Sequence, residues 1–299
     1  MEEIQEIKDF LLYLKVERNY SEKTIQNYER DIKDFLQFME NTGNLEITKV
    51  TSRDVRIYTS EMYDRGYKRT TMQRHLSSLR SFYRYLLQQG KVTENPFSYV
   101  VMQKKEKRLP QFFYEKEMQA LFQATEGSEP LRLRDNALLE VLYASGMRVS
   151  ECVSLQLSDI QQNQSFVLIT GKGNKQRYVP LNHHAMASIE RYVSQARPKL
   201  MKQKEHEFLF VNGKGDPLTD RGVRYVLDQI IKRSSLNSKI HPHELRHTFA
   251  THLLNNGADM RTVQELLGHV DLSSTQIYAH VTKESLQRTY RSCHPRAEE

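Results

Sequence analysis

Apolar residues recur at spacings of three and four through the first 90 positions, the period of helices that each bury one face. Ile4, Ile7, Leu11 and Leu14 form the first stripe. Ile25, Tyr28, Ile32, Phe35 and Leu36 form the second, with Ser21 placed ahead of it as an N-cap. Val55, Tyr58 and Met62 follow Thr51 or Ser52 in a third. Met72, Leu76, Leu79, Tyr83 and Leu86 make a fourth, opened by Thr70 or Thr71 and closed by Gly90. A one-sided stripe needs a partner, so the pattern predicts four helices packed on one another.

The period is lost over residues 95–110, NPFSYVVMQKKEKRLP, where prolines flank Lys104, Lys105, Lys107 and Arg108. This predicts a basic linker between a domain over 1–94 and another over 111–299. In the second domain, residues 115–124 and 134–145 have helical spacing. Two β-rich runs, Ser165 to Ile169 and Gln176 to Leu181, flank the turn Thr-Gly-Lys-Gly-Asn-Lys and predict a hairpin. Phe208 to Val211 is expected to add a third strand, and the chain from Asp220 onward reads as helix. The fold class is thus mainly α with a small β-sheet, α+β.

Composition narrows the function. No apolar run approaches the roughly 18 residues that span a bilayer, and the acidic start MEEIQEIKDF is no secretory signal. Two cysteines make neither a disulfide framework nor a thiolate metal site, so a reduced cytoplasm is expected. The net charge of +7 is unevenly spread. Residues 1–46 carry 6 basic and 11 acidic side chains, whereas residues 47–110 carry 14 and 5. A basic block of this kind can hold a polyanion. Within it Arg80 and Arg84 are four apart on one helical face, placed to lie along phosphates.

His243-Glu-Leu-Arg-His247 matches HExxH, a zinc-protease pattern. An arginine inside the motif would put a cation beside the metal, and a peptidase leaves the basic block unexplained. Another set of residues accounts for more. Arg148 opens Arg-Val-Ser-Glu151, Lys172 lies in the hairpin turn, His243-x-x-Arg246 follows, then Leu-Leu-Gly-His269, with Tyr278 nine residues later. In this order, over about 130 residues, and with the stretches PHELRHTFATHLL and LLGHVDLSSTQIYAH, the sequence resembles the tyrosine recombinases. Within that family it is most similar to the bacterial chromosome-dimer resolvases.

The resemblance implies an N-terminal four-helix SAM-like DNA-binding domain and a tyrosine-recombinase catalytic domain that close on duplex DNA as a C-shaped clamp. Arg148 and Arg246 would bind the scissile phosphate, for which a planar, permanently charged guanidinium is suited. His243 and His269 would donate to the phosphate or take the nucleophile's proton. Lys172 would protonate the leaving 5′ oxygen, sparing an alkoxide. Tyr278 would be the nucleophile, forming a 3′-phosphotyrosyl bond that conserves the phosphodiester's energy. Glu151 would support neighbouring side chains. Arg221 and Arg224, on a basic helix expected behind Asp220, would contact DNA in the major groove. No metal and no cofactor are expected. The implied partners are a DNA recombination site, a paralogous recombinase completing a heterotetramer on two sites, and a septal DNA translocase. After Tyr278, Leu286 and Tyr290 would anchor a short C-terminal helix that folds back on its own domain or, as the resemblance implies, docks on a partner. The alternatives are an integrase of the phage or transposon type, and a non-catalytic DNA-binding protein on the same scaffold.

Overall fold

A computed structural model describes residues 5–43, 46–100, 112–161, 164–171, 176–236, 241–268 and 283–297. The chain divides into two compact units, Met1–Lys107 and Arg108–Glu299.

In the first unit α1 (Gln5–Val16), α2 (Glu22–Asn41), α3 (Ser52–Asp64) and α4 (Arg69–Gln88) follow the hydrophobic stripes. Phe10, Leu14, Ile32, Phe35, Val55, Tyr58, Leu79 and Phe82 meet in one core, each at most 1% exposed. The first helix turns Phe10 fully inward and leaves Leu11 at the core's edge. Ser21 caps α2 by accepting from the Thr24 N–H. Thr51 caps α3, and Asp54 returns the bond to the Thr51 N–H at 2.8 Å. The fourth helix departs from expectation. It starts a residue or two before Thr70 and Thr71, behind Lys68, with no side-chain cap.

Buried polar groups tie these helices together. Asp31, fully buried on α2, binds Arg74, and accepts from Ser78 Oγ at 2.8 Å. Asp34 accepts from Tyr58, Arg65 and Tyr67 at 2.8–3.2 Å. Burial raises its carboxyl pKa, but the hydrogen bonds from Tyr58 and Arg65 outweigh that and hold it below the ordinary value. Residue 95, expected to begin the linker, is instead part of this unit. Asn95 Nδ2 donates to the Arg80 carbonyl at 2.9 Å, and Phe97 is fully buried against Tyr83 and Phe35.

The second unit is built around α6 (Pro130–Ser145), which is buried on nearly every side from Leu133 onward. Around it pack α5 (Glu115–Gln123), α8 (His183–Arg191) and α11 (Pro242–Asn255). A π-helical turn, Tyr192–Ala196, joins α8 to α9 (Arg197–Met201). Between α7 (Val149–Ser154) and α8 lies an antiparallel sheet in the order β1 (Ile160–Gln161), β2 (Phe166–Thr170), β3 (Gln176–Pro180). Its hairpin register runs from Phe166 opposite Pro180 to Thr170 opposite Gln176. The expected third strand at 208–211 is not one. Phe208 and Val211 make isolated bridges to Gln156 and Pro217, and a proline has no N–H to extend a ladder. The two-residue β1 takes that place. The basic helix α10 (Asp220–Ser234) is capped by Thr219, whose Oγ1 accepts from the Gly222 N–H, and not by Asp220.

The chain ends on α12 (Met260–Leu267) and α13 (Lys283–Cys293). Leu286 and Tyr290 are the inward anchors of α13, and the core they join is that of their own domain. Asn256 Nδ2 donates to the Cys293 carbonyl at 2.9 Å, and Arg296 pairs with Glu140 at 2.7 Å while lying over the Phe122 ring. In the single chain, therefore, the tail docks in cis. No described helix is long and apolar enough to cross a membrane.

Candidate active site

Gly146 ends α6 in the left-handed conformation, φ +57°. A Cβ there would stand 2.3 Å from the Phe249 ring, so only glycine lets α6 turn this close to α11. Arg148 follows two residues later as the N-cap of α7. Glu151, one turn on, accepts from the Arg148 N–H at 2.7 Å and from its Nη1 at 2.9 Å. The same carboxylate therefore starts the helix and holds the side chain at its head.

Arg246 approaches from α11, 98 residues away in sequence. Its Nη1 donates to the Gly146 carbonyl at 2.8 Å and its Nη2 to the Leu267 carbonyl at 2.6 Å. These bonds hold the guanidinium plane between the end of α6 and the end of α12. Burial, and then the nearby charge of Arg148, lower its pKa to about 10, which leaves it cationic at neutral pH. The charge of Arg148 acts against that of Arg246, and like charges set against each other suit an anionic ligand. Glu151 supplies part of the balance. Burial pushes its carboxyl pKa up, but hydrogen bonds from Arg177 and Arg148 more than reverse this, and it lies below the ordinary value.

Arg177 was not reached from the sequence. It lies on β3 and pairs with Glu151 through both terminal nitrogens, at 3.0 and 2.9 Å. Nothing in the residue order flags an arginine in a hairpin strand whose partner lies 26 residues earlier.

His243 sits exposed in the first turn of α11, three residues before Arg246 and on the same side of the helix. Glu244 folds back to accept from the His241 N–H at 2.8 Å, so the carboxylate of the HExxH match caps the helix. Among the described residues no three His, Cys, Asp or Glu side chains converge as a metal site would require. Lys172, His269 and Tyr278 lie outside the described residues.

The expected DNA contacts separate into two kinds. Arg84, Arg221 and Arg224 are exposed. Arg80 is half-buried, and it donates to the Phe97 carbonyl at 3.1 Å and the Val100 carbonyl at 3.0 Å. Arg74, on the same helix, is held by Asp31. Part of the basic block is thus spent inside the fold. On this geometry Arg84→Ala should lower the slope of log K against log salt by about 0.9, one phosphate's share. Salt titrations of DNA binding will measure it, and an unchanged slope would leave Arg84 merely solvated.

The model of the phage integrase family matches residues 111–285, and that of the phage integrase N-terminal SAM-like domain matches residues 7–90. The chain belongs to the phage integrase family, the tyrosine recombinases. It is 56% identical to the tyrosine recombinase XerC of Listeria innocua, over 97% of both chains. It is 49% identical to the tyrosine recombinase XerC of Bacillus subtilis, over 97% of this chain and 96% of that one. Among solved structures it is similar to the XerH site-specific recombinase bound to its difH substrate in a pre-cleavage complex. That match has a TM-score of 0.67 and 23% identity, covering 94% of this chain and 82% of the other. The family makes this chain a DNA-breaking and rejoining enzyme that acts at specific sites.

Proposed function

We propose that this recombinase resolves chromosome dimers, exchanging strands through a Holliday junction within a heterotetramer on two sites. Its partner in this reading is a paralogous XerD-like recombinase, a septal DNA translocase is the activator, and the reaction takes place in the cytoplasm. The observation that carries the chemistry is the meeting of Arg148 and Arg246 around Glu151. A phosphodiester under attack gains a second negative charge, and fixed cations stabilise that charge without having to reorganise. Arg148 and Arg246 grip the phosphate oxygens, with His243 and His269 as further donors or proton carriers. Lys172 protonates the leaving 5′ oxygen and Tyr278 attacks. Arg221 and Arg224 face the duplex from α10. The relatives named tyrosine recombinase XerC support the recombinase part of this reading.

The test is a nicked suicide duplex carrying the host's terminus-region site. Loss of the short fragment past the nick traps the covalent adduct. The protein should form that adduct on its own half-site, and adding the paralogous recombinase should increase it. An adduct that forms equally on unrelated sequences would remove the site-specific resolvase reading.

A further inference from the structure

Arg177 touches three segments of the site at once. Its side chain is 16% exposed, and Nη1 and Nη2 donate end-on to the two oxygens of Glu151 at 3.0 and 2.9 Å. Its Nε donates to the Leu266 carbonyl at 3.1 Å. A Cβ on Gly268, φ +65°, would stand 3.0 Å from the Arg177 guanidinium, so the chain just before position 269 rests directly on this cation. One side chain therefore joins the head of α7, the second strand of the hairpin and the end of α12.

The charges give this contact a consequence. Glu151 is 5% exposed and accepts from both Arg177 and Arg148. A buried carboxylate must be balanced, and a bidentate guanidinium does so best. With Arg177 in that place, Arg148 contributes only its backbone N–H and one terminal nitrogen. Without Arg177, the carboxylate would draw Arg148 into the bidentate position and consume its charge. We infer that Arg177 is a positioning residue for strand cleavage: by neutralising Glu151 it leaves the charge of Arg148 available to the scissile phosphate. The inference rests on the reading of Arg148 as a phosphate ligand.

Arg177→Gln tests it, because glutamine keeps a donor for the Leu266 carbonyl and loses the charge. Single-turnover cleavage of the nicked suicide duplex should fall about 30-fold or more, somewhat less than the roughly 100-fold expected when a charge-stabilising group is itself removed, with half-site affinity within about threefold. Adding Glu151→Gln removes the unbalanced carboxylate and should restore cleavage at least about fivefold over the single variant, since the two side chains act as one unit. A plain packing brace would gain nothing from that second change. Arg177→Gln at parental rate, or a double variant no faster than the single, overturns the inference. If Arg177→Gln does not fold, Arg177→Lys decides. Lysine balances the carboxylate but cannot pair with both oxygens at once, so cleavage should be reduced yet measurable, and parental cleavage overturns the inference. Arg148→Ala is the control. If it cleaves like the parent, the phosphate-ligand reading is what has failed.

Discussion

Tyr278→Phe should abolish the covalent protein–DNA adduct on the nicked suicide duplex and leave half-site affinity nearly unchanged. The substitution removes one phenolic oxygen and keeps the ring, so DNA binding loses little while the reaction loses its nucleophile. An ordinary phenol has a pKa near ~10, so attack at neutral pH also depends on surrounding cations to favour phenolate. Denaturing gels separate adduct from free protein directly. An adduct of undiminished yield from the phenylalanine variant would mean that another residue attacks.

The second large effect is expected at the paired arginines, and the structure separates the two. Arg148→Ala should lower cleavage at least ~100-fold, the scale for losing one group that stabilises transition-state charge. Its side chain is 39% exposed, so the fold should tolerate the change. Arg246→Ala should lower cleavage as much, but it also strips donors from the carbonyls of Gly146 and Leu267. An unsatisfied buried acceptor costs about 1–3 kcal/mol, so this variant should also melt earlier. Cleavage rates set beside thermal transitions distinguish the two. Mild kinetic losses at both positions would remove the phosphate clamp.

The helices of the first unit were legible because their stripes are regular and the caps at Ser21 and Thr51 act locally. The hairpin was legible because its turn and both strands are contiguous. What stayed hidden depends on distant partners. Arg80 has the spacing of a surface arginine on α4, yet its acceptors are the carbonyls of Phe97 and Val100, in a segment that reads as linker. Phe208 to Val211 has strand composition, but its neighbours Gln156 and Pro217 offer single bridges and not a ladder. In the site, Arg148, Arg246 and Glu151 were reached through their order along the chain. Arg177 was not, because its role exists only once β3 is folded against Glu151 and Leu266.

The docked tail has a consequence for the enzyme's response to pH. Beneath α13, burial pushes the Glu140 carboxyl up to about 7 from an ordinary 4.5, even with Arg296 beside it. Burial also pushes the His294 ring down to about 3 from 6.5. The raised carboxyl favours docking fully below 4.5 and gives up that contribution as pH rises toward 7. The depressed imidazole does the reverse, favouring docking above 6.5 and losing that contribution as pH falls toward 3. Between 4.5 and 6.5 the two slopes oppose each other proton for proton. Undocking then exchanges one proton for another, and these two groups make the hold on α13 almost independent of pH across that interval. Below 4.5 His294 alone still titrates and loosens the last helix as pH falls, and above 6.5 Glu140 alone loosens it slightly until pH passes about 7.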